Sequence, residues 1–84
     1  MSKNSDLPPL DLLNGETIGH RLAKLRKKKE MTQQELANKI GVPRYLIANY
    51  EQGRTRIYDE MLIRLAIELD CTVDYLVGFK KKDE

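Results

Sequence analysis

Residues 32–53, TQQELANKIGVPRYLIANYEQG, decide how this chain folds. They read as two short helices joined by a tight turn. Thr32 with Glu35 three places on is a capping box: the Thr hydroxyl accepts the Glu35 amide, and the Glu carboxylate reaches back to the Thr32 amide. Leu36, Ala37 and Ile40 then fall on one face at helical spacing. Gly41 stands where a helix ends on a left-handed residue, a conformation glycine reaches without a side-chain clash. Val42 is the apolar residue of the turn. Pro43 is expected to start the next helix, with its φ already set and no amide left unpaired. Ile47 and Tyr50 continue the apolar face, and Gly53 closes the unit.

Two helices joined by so short a turn cross steeply, which is the helix-turn-helix geometry. Thr32, Gln33, Leu36, Ala37, Gly41, Val42, Ile47, Glu51 and Gly53 together resemble the pattern of the phage-repressor and Cro-type (XRE-type) DNA-binding family. The resemblance extends from about Ile18 to Gly78, and CTVDYLVG at 71–78 is similar to the family's final helix. It implies an all-α fold, a compact five-helix lambda-repressor-like domain with the helix-turn-helix at helices two and three. Two departures stand out. Pro43 occupies a place where a Ser or Thr cap is common, a cap worth about 1 kcal/mol. Ile57 replaces a frequent Pro before helix four, and Asp59 an often apolar residue, so the loop carrying Arg56 is expected to differ in shape.

The chain has 84 residues and a net charge of +2. That length suits one domain, near the lower end of what folds without staples. The single cysteine, Cys71, excludes an internal disulfide framework and a multi-cysteine zinc site. No apolar run approaches membrane-spanning length and no signal peptide is visible, so the expectation is a reduced, cytoplasmic protein without a membrane. So mild a net charge says little about partners; the placement of the basic residues has to carry that argument.

Outward from the central unit, residues 1–15 contain Pro8-Pro9, Asn14-Gly15 and no sustained periodicity, and read as a flexible tail, although Leu7, Leu10, Leu12 and Leu13 are apolar enough to dock on the domain or on a second copy. The domain is expected over 16–78. Helix one is expected from about Thr17 to Lys29, with Ile18, Leu22 and Leu25 buried and Arg21, Lys24, Lys27 and Lys28 around the remainder. Helix two is Gln33 to Ile40 and helix three about Pro43 to Gln52. Helix four, about Asp59 to Leu69, turns Met61, Leu62, Leu65, Ala66 and Leu69 to the core. Asp70 suits a left-handed end residue. Thr72 caps a last short helix with Asp74 in its first turn, Leu76 as anchor and Gly78 as stop. Residues 79–84 form a charged tail.

Enzyme chemistry finds little to build on. His20 is the only histidine, so no His-Asp-Ser or His-Cys constellation can be assembled. Cys71 reads as a small buried hydrophobe. Asp59-Glu60 reads as first-turn acids favoured by the helix dipole. Neither a glycine-rich phosphate loop nor a metal-ligand cluster is present, and no cofactor is expected. The lysine runs at 27–29 and 80–82 read by default as solvated surface.

Helix three carries the informative surface. Arg44, Tyr45, Ala48 and Asn49 form an outward patch at its start, the end that meets base edges. Arg can hold guanine O6 and N7 together, Asn can hold adenine N6 and N7, and Tyr45 can offer hydroxyl or ring. Thr32 and Gln33 head helix two, where donors point at anions. The resemblance implies that Gln33 holds a phosphate and that Arg54 and Arg56 belong to a basic loop gripping the backbone. It also implies that Arg26 and Glu51 form a structural pair locking helix three to helix one.

The expected function is therefore sequence-specific binding of double-stranded DNA as a transcriptional regulator, a repressor, with helix three in the major groove. The alternative is an antitoxin or adaptor on the same fold, whose partner is a protein. A homodimer is expected through the last-helix region, Val73, Val77 and Phe79, on a palindromic operator.

Overall fold

The computed structural model describes residues 16–78. The expectations for 1–15 and 79–84, Phe79 included, lie outside the described residues. Within 16–78 the structure is all-α: α1 Ile18–Lys28, α2 Gln33–Ile40, α3 Arg44–Glu51, α4 Asp59–Glu68 and α5 Val73–Val77.

Local chemistry sets most of these bounds. Thr17 caps α1 by accepting the His20 amide at 3.1 Å. The capping box at α2 is complete, with Glu35 N to Thr32 Oγ1 at 3.0 Å and Thr32 N to Glu35 Oε1 at 2.8 Å. Thr72 caps α5 through the Tyr75 amide at 3.0 Å. Gly41 ends α2 with φ +87°, and its amide and that of Val42 both donate to the Ala37 carbonyl, at 2.8 and 3.0 Å. Glu30 and Asp70 take the same left-handed conformation at φ 58° and 57°. Each lets the next amide turn back, Met31 to Arg26 O at 3.1 Å and Cys71 to Ala66 O at 2.9 Å.

Pro43 differs from expectation. It is the N-cap of α3, with φ −68° and ψ 152°, rather than its first helical residue, and it makes no side-chain cap. Its ring fixes φ at a value that the extended capping conformation also allows.

The core gathers Leu22 and Leu25 of α1, Leu36 and Ala37 of α2, Ile47 and Tyr50 of α3, Leu65 and Ala66 of α4 with the following Leu69, and Leu76 of α5. Ile40, Leu46, Met61, Leu62 and Cys71 pack around it, half-buried. Burial pushes up the Tyr50 phenol, and burial followed by the nearby Asp70 charge pushes up the Cys71 thiol. Cys71 is thus more open than the buried hydrophobe expected, and Ile18 is also only half-buried.

Two residues of α1 play parts the helical pattern does not reveal. A Cβ on Gly19 would lie 2.6 Å from the carbonyl oxygens of both Tyr50 and Glu51. The missing side chain is therefore what lets α1 lie directly against the end of α3. Arg21, expected among the solvated residues, is only 4% exposed. Its Nε donates to the Tyr75 carbonyl at 2.8 Å and Nη1 to Glu16 Oε1 at 3.1 Å. Its guanidinium lies 4.6 Å from the centre of the Tyr75 ring. A Cβ on Gly78, at φ +67°, would run into the Arg21 side chain. Arg21 thereby ties the start of the described chain to its end.

Candidate functional site

Beyond its share of the core, the α2–turn–α3 unit is held to the body of the molecule by a polar chain. Arg26 of α1 donates to Glu51 at the end of α3, Nε to Oε2 at 2.6 Å and Nη2 to Oε1 at 3.1 Å. The two side chains are 9% and 8% exposed. The remaining guanidinium nitrogen, Nη1, donates to the Met31 carbonyl at 2.7 Å, anchoring the segment that leads into α2. Gln33, first residue of α2, donates Nε2 to Glu51 Oε1 at 2.9 Å, and its Oε1 accepts from Arg44 Nη1 at 3.3 Å. Three helices are thus joined, Arg26 to Glu51 to Gln33 to Arg44. A two-pronged arginine–carboxylate bond fixes direction as well as distance, so α3 is held in orientation and not merely in contact.

That orientation turns Ile47 and Tyr50 inward and leaves Arg44 and Tyr45 exposed. Tyr45 is 65% exposed. Ala48 and Asn49 complete the strip one turn on, each half-buried. The strip so offers a guanidinium, a phenol, a methyl and a carboxamide, with the two longest groups at the start of the helix. The Asn49 carbonyl accepts the Arg54 amide at 2.9 Å, which ties the following loop to the same helix.

Gln33 is half-buried beside the strip. A carboxamide nitrogen carries two donors, so Gln33 can bind Glu51 with one and still offer the other outward. The Thr32 hydroxyl accepts the Glu35 amide and keeps its own proton to donate. Arg54 and Arg56 are exposed in the α3–α4 loop. Among the described residues neither they nor Arg44 has an ion-pair partner within 4.0 Å. The helix-turn-helix and the loop that follows it therefore carry three guanidiniums without an ion-pair partner among the described residues, the head of α2 and the strip of side chains on α3.

The other sequence candidates are exposed or have local partners. His20 and Lys27 to Lys29 are exposed, and Lys29 Nζ stands 3.6 Å from Asp70. Glu60 pairs with Arg64 one turn along α4 at 2.9 Å. Among the described residues no group of three or more His, Cys, Asp or Glu could hold a metal ion, and no helix is long and apolar enough to cross a membrane. The Gln33 link between Glu51 and Arg44 was not legible in sequence, because it depends on how α2 meets both ends of α3.

Comparison with known proteins agrees with the helix-turn-helix fold. A family model described as helix-turn-helix matches residues 22–76. The HTH-type transcriptional regulator YqaE of Bacillus subtilis (strain 168) is 39% identical over 60 residues, 71% of this chain and 52% of that protein. Repressor protein C2 of Salmonella phage P22 is 32% identical over 65 residues, 77% of this chain and 30% of that protein. The chain thus spans about half the length, or less, of these curated relatives. A crystal structure of the P22 c2 repressor with a synthetic operator superposes with a TM-score of 0.70 at 32% identity, covering 74% of this chain and 94% of that one.

Proposed function

The chain belongs to the helix-turn-helix family, and from that premise we propose that it is a sequence-specific DNA-binding transcriptional regulator, a repressor, that lays α3 in the major groove. The observation carrying this reading is the buried Arg26–Glu51 pair, which fixes the angle at which α3 presents Arg44, Tyr45, Ala48 and Asn49. A recognition helix must meet base edges at a set angle, and a preset angle lowers the ordering cost of binding. In this reading Arg44 and Asn49 read bases, while Thr32, Gln33, Arg54 and Arg56 hold phosphates on either side. Phosphate contacts set register and supply salt-dependent affinity, whereas base contacts supply choice. Repression needs only occupancy of the site, so neither catalysis nor a cofactor enters, and the protein acts in the cytoplasm where the DNA lies. The P22 relative is itself named a repressor and solved on an operator, which supports the same role here.

The test separates specificity from affinity. A preferred duplex is first selected from random DNA, and variants are titrated against it and a scrambled duplex at two salt concentrations. Arg44→Ala or Asn49→Ala should remove about 1–3 kcal/mol from the preferred site and little from the scrambled one. Arg54→Ala should weaken both and lower the salt dependence by about one counterion. Failure to enrich any sequence, or equal losses on both duplexes for Arg44→Ala, would move the assignment to a protein-interaction module of the antitoxin or adaptor kind.

A further inference from the structure

A groove of about 860 Å³ runs between the first turn of α1 and the α3–α4 loop, on a part of the surface the base-facing strip does not use. Ile18, Gly19, Tyr50, Thr55, Arg56 and Ile57 are among the residues that line it. Ile18 and Ile57 are only half-buried, so each leaves apolar surface that nothing among the described residues covers. The described chain begins at Glu16, and Thr17, the next residue, already belongs to the groove wall. The chain before Glu16 is therefore tethered within two residues of the groove wall.

What precedes it is Leu10-Asp11-Leu12-Leu13-Asn14-Gly15. Leu13 is three residues from Glu16, a reach of about 10 Å in extended chain. Tethering holds the segment at an effective concentration of about millimolar, above that of most free partners. The chemistry matches. Leu10, Leu12 and Leu13 supply apolar groups for the surface that Ile18, Tyr50 and Ile57 line. We propose that this groove is an intramolecular docking site for the leucines at 10–13 of the same chain. Docking there braces the loop that carries Arg54 and Arg56.

Nuclear magnetic resonance on the full chain tests it. Methyl–methyl contacts are expected between Leu12 or Leu13 and Ile18 or Ile57, and they should persist unchanged on dilution. The double variant Leu12→Ser, Leu13→Ser should lose them and speed amide exchange at Thr55, Arg56 and Ile57 by about fivefold or more, while exchange at Leu22 and Leu36 reports that the fold is intact. A wild-type chain without those contacts overturns the proposal, as does equal loop exchange in the wild type and the variant. Contacts that fade on dilution would give the groove to a second copy and overturn it as well.

Discussion

At Gly19 and Arg26 single side chains, or the lack of one, decide how α3 is held. Glycine inside a helix normally costs about 0.5–1 kcal/mol relative to alanine, so Gly19→Ala would stabilise an isolated α1. Here the added Cβ meets two backbone carbonyls at 2.6 Å, and neither can swing aside as a side chain would. Overpacking of this kind costs about 1–3 kcal/mol, so the helical gain is outweighed and Gly19→Ala should lower the melting temperature; a rise would show that α1 and α3 can move apart freely. Arg26→Ala should be more severe, because it leaves Glu51 buried with only Gln33 for company. Breaking one side of a buried pair costs about 3–5 kcal/mol. Replacing both members by apolar residues of similar size, Arg26→Met with Glu51→Leu, removes the stranded charge and should recover much of the loss. Denaturant unfolding of the single and double variants distinguishes the cases. Equal stability of the two would mean the charge left behind is well solvated.

At the scale of elements, the ends of the helices were legible and the contacts between them were less so. Thr32, Gly41, Asp70, Thr72 and Gly78 act on backbone groups within a few residues, so their roles can be read along the chain. Arg21 could not be read that way. Its burial depends on Tyr75 and Gly78 arriving from the far end of the sequence, and a helix carrying Arg21, Lys24, Lys27 and Lys28 looks uniformly solvated when taken alone. Gly19 at least left a sign, since glycine within a helix asks for a packing reason. The outward strip on α3 was visible because the inward positions Ile47 and Tyr50 fix the opposite face. Gln33, by contrast, showed as a donor at a helix start but not as the bridge between Glu51 and Arg44. The Arg21 tie makes an acid-side prediction. A hydrogen bond from Lys24, helped by its charge and by Arg21, holds the Glu16 carboxyl below its ordinary value against the opposing effect of burial. A lowered folded value means that Glu16 contributes stability above the unfolded carboxylate range and loses it as pH falls through the folded value. Wild type should therefore melt above Glu16→Gln at neutral pH, and the gap should close in acid. A gap that stayed constant down to acid pH would remove the carboxylate from the tie between α1 and α5.

For the whole molecule, a net charge of +2 is too small to draw DNA by itself, so in the proposed role affinity has to come from the few guanidiniums of α3 and its loop and from the number of copies engaged. In the proposed role one α3 offers four groups to the bases, a narrow footprint for specific binding. Two copies related by a two-fold axis double the footprint and set the half-sites about 10 bp apart on a palindrome. We therefore expect a homodimer that forms weakly in solution and firmly on DNA. Two apolar surfaces could meet across that axis. One is the last-helix region, where Val73 and Val77 are half-buried. The other is the outer face of α4, where Ile63 and Ile67 are 51% and 69% exposed one turn apart. The sequence pattern pointed to the first, since Ile63 and Ile67 draw no notice beside the core positions Leu62, Leu65 and Ala66. The two surfaces can be told apart by placing a charge in each. On a duplex with two half-sites, wild type should bind cooperatively, and moving the half-sites apart by half a helical turn should abolish cooperativity by turning one copy to the opposite side of the DNA. Val77→Asp should remove cooperativity on the correctly spaced duplex while leaving single half-site binding unchanged, whereas Ile67→Asp should bind as wild type does. The reverse pattern would move the two-fold seam to α4. A protein that stayed monomeric and bound one half-site as tightly as the full palindrome would refute dimeric recognition altogether, and α3 with its loop would then have to supply all of the specificity from a single copy.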